Sequence, residues 1–303
     1  MSRLPVLDGD GLRARLPMGA AIEAIHLALR SGLDPSADPA RTVVPADHGQ
    51  ILVMPSLTPA HAGVKLITVT PDNPERGLPR VQGVYLLLDA LTLTPHLVLD
   101  GAALTAIRTP AVSAAAADLI AVNEASRLVV FGTGPQAWGH IEALRVVRPV
   151  SDVTVVGRNG NRVAELVGRC VAAGLRATAG SPDAVADADL VACCTTARTP
   201  LFDGGKLAPH ATVLAIGSHE PDSREVDTAT VTRGEVIVED IPTALREAGD
   251  VVLPIGEGAL RPDDLIPLTS LARGEKRLDP STPKVFKSVG MAWQDLAVAA
   301  LLA

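Results

Sequence analysis

Aromatic residues are scarce, with three Phe, two Trp and one Tyr making 2% of 303 residues, so a core must be built from Ala, Val, Leu and Ile. Positive charge is also short. Lys and Arg number 27 against 34 Asp and Glu, a formal charge of −7. This balance argues against nucleic acid or an anionic membrane as the main partner, and any anionic ligand must be drawn in by local cations. Cys170, Cys193 and Cys194 form no CxxC pair and no zinc spacing. The expectation is no disulfide framework, no metal site and a reducing cytoplasm. No N-terminal stretch has the pattern of a signal peptide, and no apolar run reaches bilayer length. Internal repeats and low-complexity segments are lacking too.

What is present is a hydrophobic content of 47% with 20% charged residues, the composition of a globular protein with a substantial core. The length leaves room for about two domains. From Ser126 to Glu239, apolar runs alternate with helix-like segments: Leu128–Phe131, Val153–Val156, Arg176–Ala179, Leu190–Cys194, Thr212–Ile216 and Glu235–Val238. Continuous apolar strands separated by helices predict a parallel sheet covered on both faces, a Rossmann-type doubly wound α/β domain. The first 110 or so residues (a boundary read at the length scale of one domain) differ. Met18, Ile22, Ile25 and Leu29 mark an amphipathic helix, and strand-like runs at Ile51–Met54, Val64–Val69, Val84–Leu88 and Leu97–Leu99 follow without long helices between them. That pattern predicts an antiparallel meander in an α+β unit. Thr109-Pro110 reads as an N-cap and first-turn proline opening a helix through Val112–Val122. Gly290–Leu302 reads as a terminal helix after a Val285–Val289 run, and its return to the first domain would make that domain discontinuous. The expected division is 1–115 completed by 284–303, with 116–283 as the nucleotide-binding domain.

Gly132-Thr133-Gly134-Pro135-Gln136-Ala137 carries the sharpest chemistry. It follows the run Leu128–Phe131 and precedes a helical segment from Gln136 to Val147. The first glycine permits a tight turn, the second leaves room for a pyrophosphate, and the small Ala137 lets the helix pack on the strand. Unpaired N–H groups at the helix start then favour the anion. At the end of the second strand an acid would bind the ribose 2′-hydroxyl of NAD. The chain instead has Gly157-Arg158-Asn159, and a guanidinium suits the 2′-phosphate of NADPH, with NADH as the lesser cofactor. His140, on the helix after the loop, is expected to be structural.

Arg41, Lys65 and Arg108 stand in apolar or small-residue surroundings ahead of that loop. Each alone is more often structural, and a strand lysine usually points to the solvated face. Three such cations in an acidic protein suggest a clamp for a substrate carboxylate.

At these residues the sequence resembles the ornithine cyclodeaminase/mu-crystallin family. The likeness rests on Arg41-Thr42-Val43-Val44-Pro45, Met54-Pro55, Val64-Lys65-Leu66, Asp100-Gly101, Arg108–Ala114, the Gly132–Ala137 loop, Gly217–Asp227 and Phe286-Lys287-Ser288-Val289-Gly290. The resemblance implies a homodimer, a split substrate domain that also dimerises, and a nicotinamide cofactor. It implies that Arg41, Lys65 and Arg108 hold the substrate carboxylate. It also extends the cofactor-binding set to Arg108, Thr109, Thr195, Ser218 and Ser288. Family reactions include ornithine cyclisation, alanine dehydrogenation and cyclic ketimine reduction; mu-crystallin-like members also bind NADPH.

Departures choose among these. The cyclodeaminase pattern has an acid and, four residues later, a lysine after its Gly-Gly; here the positions hold His219 and Ser223. Oxidising an amine-bearing carbon requires a base, which a carboxylate supplies. Val84 replaces a small hydroxyl residue, so a substrate or cofactor hydrogen bond is expected to be missing. The segment resembles the reductase-like branch. The expected activity is NADPH-dependent reduction of pyrroline-2-carboxylate or piperideine-2-carboxylate, with Lys65 and His219 as candidate proton carriers. Ornithine cyclodeaminase, an alanine dehydrogenase-like enzyme and a non-catalytic NADPH-binding protein stand as alternatives.

Overall fold

The computed structural model describes residues 4–303. It divides into two units, one of the described residues up to Thr109 together with Met291–Ala303, the other of Pro110–Gly290. The divisions thus lie at 109/110 and 290/291 instead of 115/116 and 283/284, because Lys284–Lys287 pairs inside the second unit's sheet.

In the first unit, β1 (Val6–Leu7), α1 (Gly9–Arg15) and α2 (Met18–Arg30) precede a run of strands. These are β2 (Thr42–Ala46), β3 (Gly49–Leu57), β4 (His61–Val69), β5 (Val81–Asp89) and β6 (Pro95–Asp100). The order β1-β6-β5-β4-β3-β2 is the expected antiparallel meander, with β1 added in parallel at the β6 edge. Alternation sends Leu52, Met54, Lys65, Ile67, Tyr85, Leu87 and Leu99 to a buried face. Across β3 and β4 that face meets the C-terminal helix, Ala292–Ala299, which also packs on α2 through an apolar stripe that includes Ile22, Ile25 and Leu29.

The helix α3 runs from Gly101 to Ile120 and contains Pro110 in its interior, where the sequence predicts a start. Asp100 moves the start forward by accepting from the backbone N–H groups of Ala102 and Ala103, both at 2.9 Å. Pro110 then removes only one interior donor. By length and composition α3 is apolar enough to cross a membrane, where the sequence reading finds no such run, but 78% of its apolar window is buried inside the protein. At its end, the Arg148 guanidinium donates to the carbonyls of Ala117, Asp118 and Ala121, satisfying groups a helix terminus leaves open.

The second unit runs β7 (Arg127–Phe131), α4 (Pro135–Val147), β8 (Asp152–Val156), α5 (Gly160–Ala172), β9 (Arg176–Ala179), β10 (Leu190–Cys193) and β11 (Thr212–Ala215). It continues with α6 (Thr228–Arg233), β12 (Glu235–Val238), α7 (Ile241–Glu247), α8 (Gly249–Gly256), β13 (Leu265–Pro267), α9 (Leu268–Ala272) and β14 (Lys284–Lys287). All eight strands are parallel, in the order β13-β12-β14-β11-β10-β7-β8-β9. The chain reverses direction of winding between β7 and β10, the topological switch where open α/β sheets bind ligands beyond the strands' carboxyl ends.

Candidate functional site

Lys65 lies on the covered face of β4 with 2% of its surface exposed, so the solvated-strand reading of a lone lysine does not hold here. Its Nζ donates to Asp295 Oδ2 at 2.8 Å. Arg108, on α3, donates from Nε to Asp295 Oδ1 at 3.2 Å and from Nη1 to Gln294 Oε1 at 2.7 Å. Arg41, preceding β2, acts on Lys65 as a third positive charge. One fully buried carboxylate thus faces two paired cations with another in electrostatic range. Burial is the main force lowering the Lys65 ammonium from 10.5 to about 8, followed by repulsion from Arg108; Asp295 opposes both. Tyr85, the chain's single tyrosine, is the direct cross-strand neighbour of Lys65, and burial, Asp295 and Asp38 all push its phenol upward. Asp295 and Gln294 went unnoticed in the sequence. Their signal was a charged and an amide residue inside the otherwise apolar Ala292–Ala299.

Val84 pairs with Leu66, not Lys65, and therefore points to the opposite face of the sheet. A hydroxyl there would not join the clamp, which corrects the expected loss of a substrate hydrogen bond at this position.

In the second unit the glycine loop connects β7 to α4 at the switch point. Gly132 has φ of 107°, and a Cβ there would lie 2.5 Å from the Cys194 carbonyl oxygen. Gly134 is the residue before α4, with open space where a side chain would stand; Pro135 occupies the first turn and Ala137 is fully buried. These residues fit a dinucleotide pyrophosphate: a close-approach surface, free of side chains, ahead of a helix N-terminus. Thr133 is half-buried, while the Gln136 carbonyl contacts His140 Nδ1 at 2.7 Å. His140 Nε2 meets Ser113 Oγ at 2.8 Å, and burial lowers the imidazole to about 4, so this histidine is a neutral structural link. Arg158 is exposed just past β8, and Asn159 caps α5 by accepting from the Arg162 N–H at 3.2 Å.

Of the remaining candidates, Thr195 meets a buried acid absent from the expected site, Glu225. Glu225 Oε1 accepts from Thr195 N at 2.8 Å and Thr195 Oγ1 at 2.6 Å, and its Oε2 accepts from Gly217 N at 2.6 Å. Asp250, on α8, accepts from Glu225 N at 2.6 Å and pairs with Lys287 at 2.7 Å. Lys287 donates to the Ser218 carbonyl at 2.6 Å, and the Ser218 hydroxyl donates to Ser223 O at 2.5 Å. Burial raises Glu225 from 4.5 to about 7 against the opposing pull of Lys287 and Thr195. Ser288 donates to Glu239 at 2.7 Å. The hydroxyls of Thr195, Ser218 and Ser288 therefore have partners within the protein. His219 is half-buried in the same loop, and Thr109 is buried at the end of the first unit.

Taken together, a parallel sheet with a Gly-x-Gly-x-x-Ala turn in the second unit and a buried cation cluster in the first define a dinucleotide-binding oxidoreductase architecture. The chain belongs to the ornithine cyclodeaminase/mu-crystallin family, whose model matches residues 12–303. It is 32% identical over 309 residues to a Delta(1)-pyrroline-2-carboxylate reductase of Bacillus cereus, spanning 98% of this chain and 95% of that protein. It is 31% identical over 300 residues to the Delta(1)-pyrroline-2-carboxylate/Delta(1)-piperideine-2-carboxylate reductase of Azospirillum brasilense, with coverage of 98% and 94%. Among solved structures, the Thermococcus litoralis Delta(1)-pyrroline-2-carboxylate reductase in complex with NADH and L-proline superposes with a TM-score of 0.92. That similarity carries 27% identity and covers 98% of this chain and 96% of that one.

Proposed function

We propose that this protein is an NADPH-dependent reductase of a small cyclic ketimine acid, converting pyrroline-2-carboxylate or piperideine-2-carboxylate to proline or pipecolate. The carrying observation is that two buried cations, Lys65 and Arg108, share the one carboxylate of Asp295. A substrate carboxylate supplies the missing negative charge, and an arginine fork orients it. Asp295 holds Lys65 and Arg108 in place before substrate arrives, so little ordering is left to the binding step.

Lys65, an ammonium below about pH 8, holds a proton for the imine nitrogen. His219 is the second candidate for that proton. When bound, the dihydronicotinamide supplies hydride to the iminium carbon; proton and hydride together convert C=N to CH–NH. The N–H groups of the Gly132–Ala137 loop would hold the pyrophosphate, and Arg158 the 2′-phosphate of NADPH. The half-buried His219 and the Ser223 hydroxyl, engaged with Asp222 at 3.2 Å, provide no carboxylate base for ornithine oxidation. Following NADPH absorbance with pyrroline-2-carboxylate, piperideine-2-carboxylate and pyruvate plus ammonia tests the reading. Oxidation with a cyclic imine is expected, and silence with all three overturns it.

The same reading includes a homodimer formed through the open face of the first sheet. Val53, Leu66 and Val84 form one cross-strand row there, with Leu66 44% and Val84 43% exposed. An apolar row on an uncovered sheet suits an obligate partner surface. Light scattering should give twice the 31.3 kDa chain mass, and a monomer mass would reject the dimer. Three unbridged cysteines favour a reducing, cytoplasmic setting.

A further inference from the structure

We propose that Glu225 is a positioning residue for the dinucleotide, acting by tying together the loops that leave β10 and β11. The inference rests on the dinucleotide side of the functional reading alone, and does not depend on which imine is reduced.

The geometry is specific. A single buried carboxylate receives both the backbone N–H and the hydroxyl of Thr195, just past β10, and the backbone N–H of Gly217, just past β11. The two loops touch closely enough that a Cβ on Gly217 would lie 2.0 Å from the Thr195 carbonyl oxygen. From Thr195 the constraint passes to its neighbour Cys194, whose carbonyl oxygen is the atom a Cβ on Gly132 would meet at 2.5 Å. Cys194 N also donates to Phe131 O at 2.9 Å, so the end of β10 braces the first residues of the glycine loop. Glu225 is itself held from behind. Asp250 accepts from the N–H groups of Glu225 and Val226, and Lys287 joins Asp250 to the Ser218 carbonyl. Adjacent strands β10, β11 and β14 thus have their carboxyl ends linked through one acid and its supporting ion pair. The Thr195 hydroxyl is engaged within the protein, donating to Glu225 and accepting from Ala197 N at 3.1 Å. Its contribution to the cofactor is the placement of backbone rather than a direct hydroxyl contact.

Glu225→Gln keeps the shape but replaces one acceptor with an NH2 group, leaving the N–H of either Thr195 or Gly217 without its partner. Calorimetric titration with NADPH, in the absence of imine, should show affinity weakened about tenfold, the scale of one lost hydrogen bond to a charged group. The KM for NADPH should rise by a similar factor, with the imine KM changed far less. Thr195→Val, which removes one donor to Glu225 but keeps the carboxylate itself, should reproduce the weakening, and Thr195→Ser should recover most of it. Unchanged NADPH affinity in Glu225→Gln overturns the proposal. Parallel losses in both KM values and in melting temperature, without rescue by Thr195→Ser, overturn it as well, because they would mark a merely structural acid. If Glu225→Gln does not fold, the Thr195→Val and Thr195→Ser pair decides by the same titration. Failure of the imine assay with NADPH affinity altered as expected would reject the substrate and leave this inference standing.

Discussion

Lys65 and Lys287 share a geometry in two different sheets. Each is a strand lysine 2% exposed, and each meets an aspartate borne on a helix, Asp295 at 2.8 Å and Asp250 at 2.7 Å. The difference lies in the surrounding charge. Around Asp295 the cations outnumber the acid, with Arg108 bound to the same carboxylate as Lys65. Around Lys287 the acids outnumber the cation, and the spare acceptors of Glu225 and Asp250 are filled by backbone N–H groups of the loops. A buried charge left over must be compensated by something. In the second unit the chain itself does so, which makes a rigid scaffold. In the first unit the excess is positive and suits an anionic substrate.

Exchanging each lysine for methionine should separate these roles most clearly. Lys65→Met should lower kcat for imine reduction by roughly a thousandfold, within the range for removing a general acid, while Asp295 stays paired to Arg108. Lys287→Met strands Asp250 in the interior and should cost about 3–5 kcal/mol in urea denaturation. If Lys65→Met unfolds the protein and Lys287→Met leaves its stability intact, the comparison is inverted. A smaller change is expected from Arg158, an exposed cation whose value would lie in the cofactor. Arg158→Asp should shift the NADPH-to-NADH ratio of kcat/KM toward NADH by roughly ten- to a hundredfold, the strength of a charge-assisted contact. Equal use of both cofactors by the unmodified enzyme would refute that role.

The smallest effect is in pH. Lys65 loses its proton as pH rises through about 8 in the free enzyme, so kcat/KM for the imine should have fallen by half near that value. Stability should move the other way. With the folded-state value depressed below 10.5, the unfolded chain binds more protons between about 8 and 10.5, and folding becomes more favourable as pH rises across that window. A rate profile flat to about pH 10 would exclude Lys65 as the proton donor.

Much of the architecture was readable from local pattern. The strand runs from Leu128 to Val238 and the meander from Ile51 to Leu99 appear as strands with ends adjusted by a few residues. The start of α3 was misplaced because Pro110 resembles a first-turn proline, whereas Asp100 caps the helix from outside the window that a proline marks. Strand β13 was missed because Leu265–Pro267 is too short to show alternation. Of the candidate site, the clamp cations and the glycine loop were visible as residue types in unusual surroundings. Thr195, Ser218 and Ser288 were visible only as family positions, and their side chains prove to be engaged with Glu225, Ser223 and Glu239.

The sequence by itself determined the glycine turn, the cation at the end of the second strand, the alternation that forms the first sheet and the continuous apolar runs that form the second. These depend on backbone freedom and on spacings of two to four residues, which any short segment displays. Only the tertiary structure decided that Lys65 turns inward, that Asp295 meets it from 230 residues away, and that Glu225 joins two loops. Charge compensation acts between groups close in space, whatever their separation along the chain. No local window holds both partners.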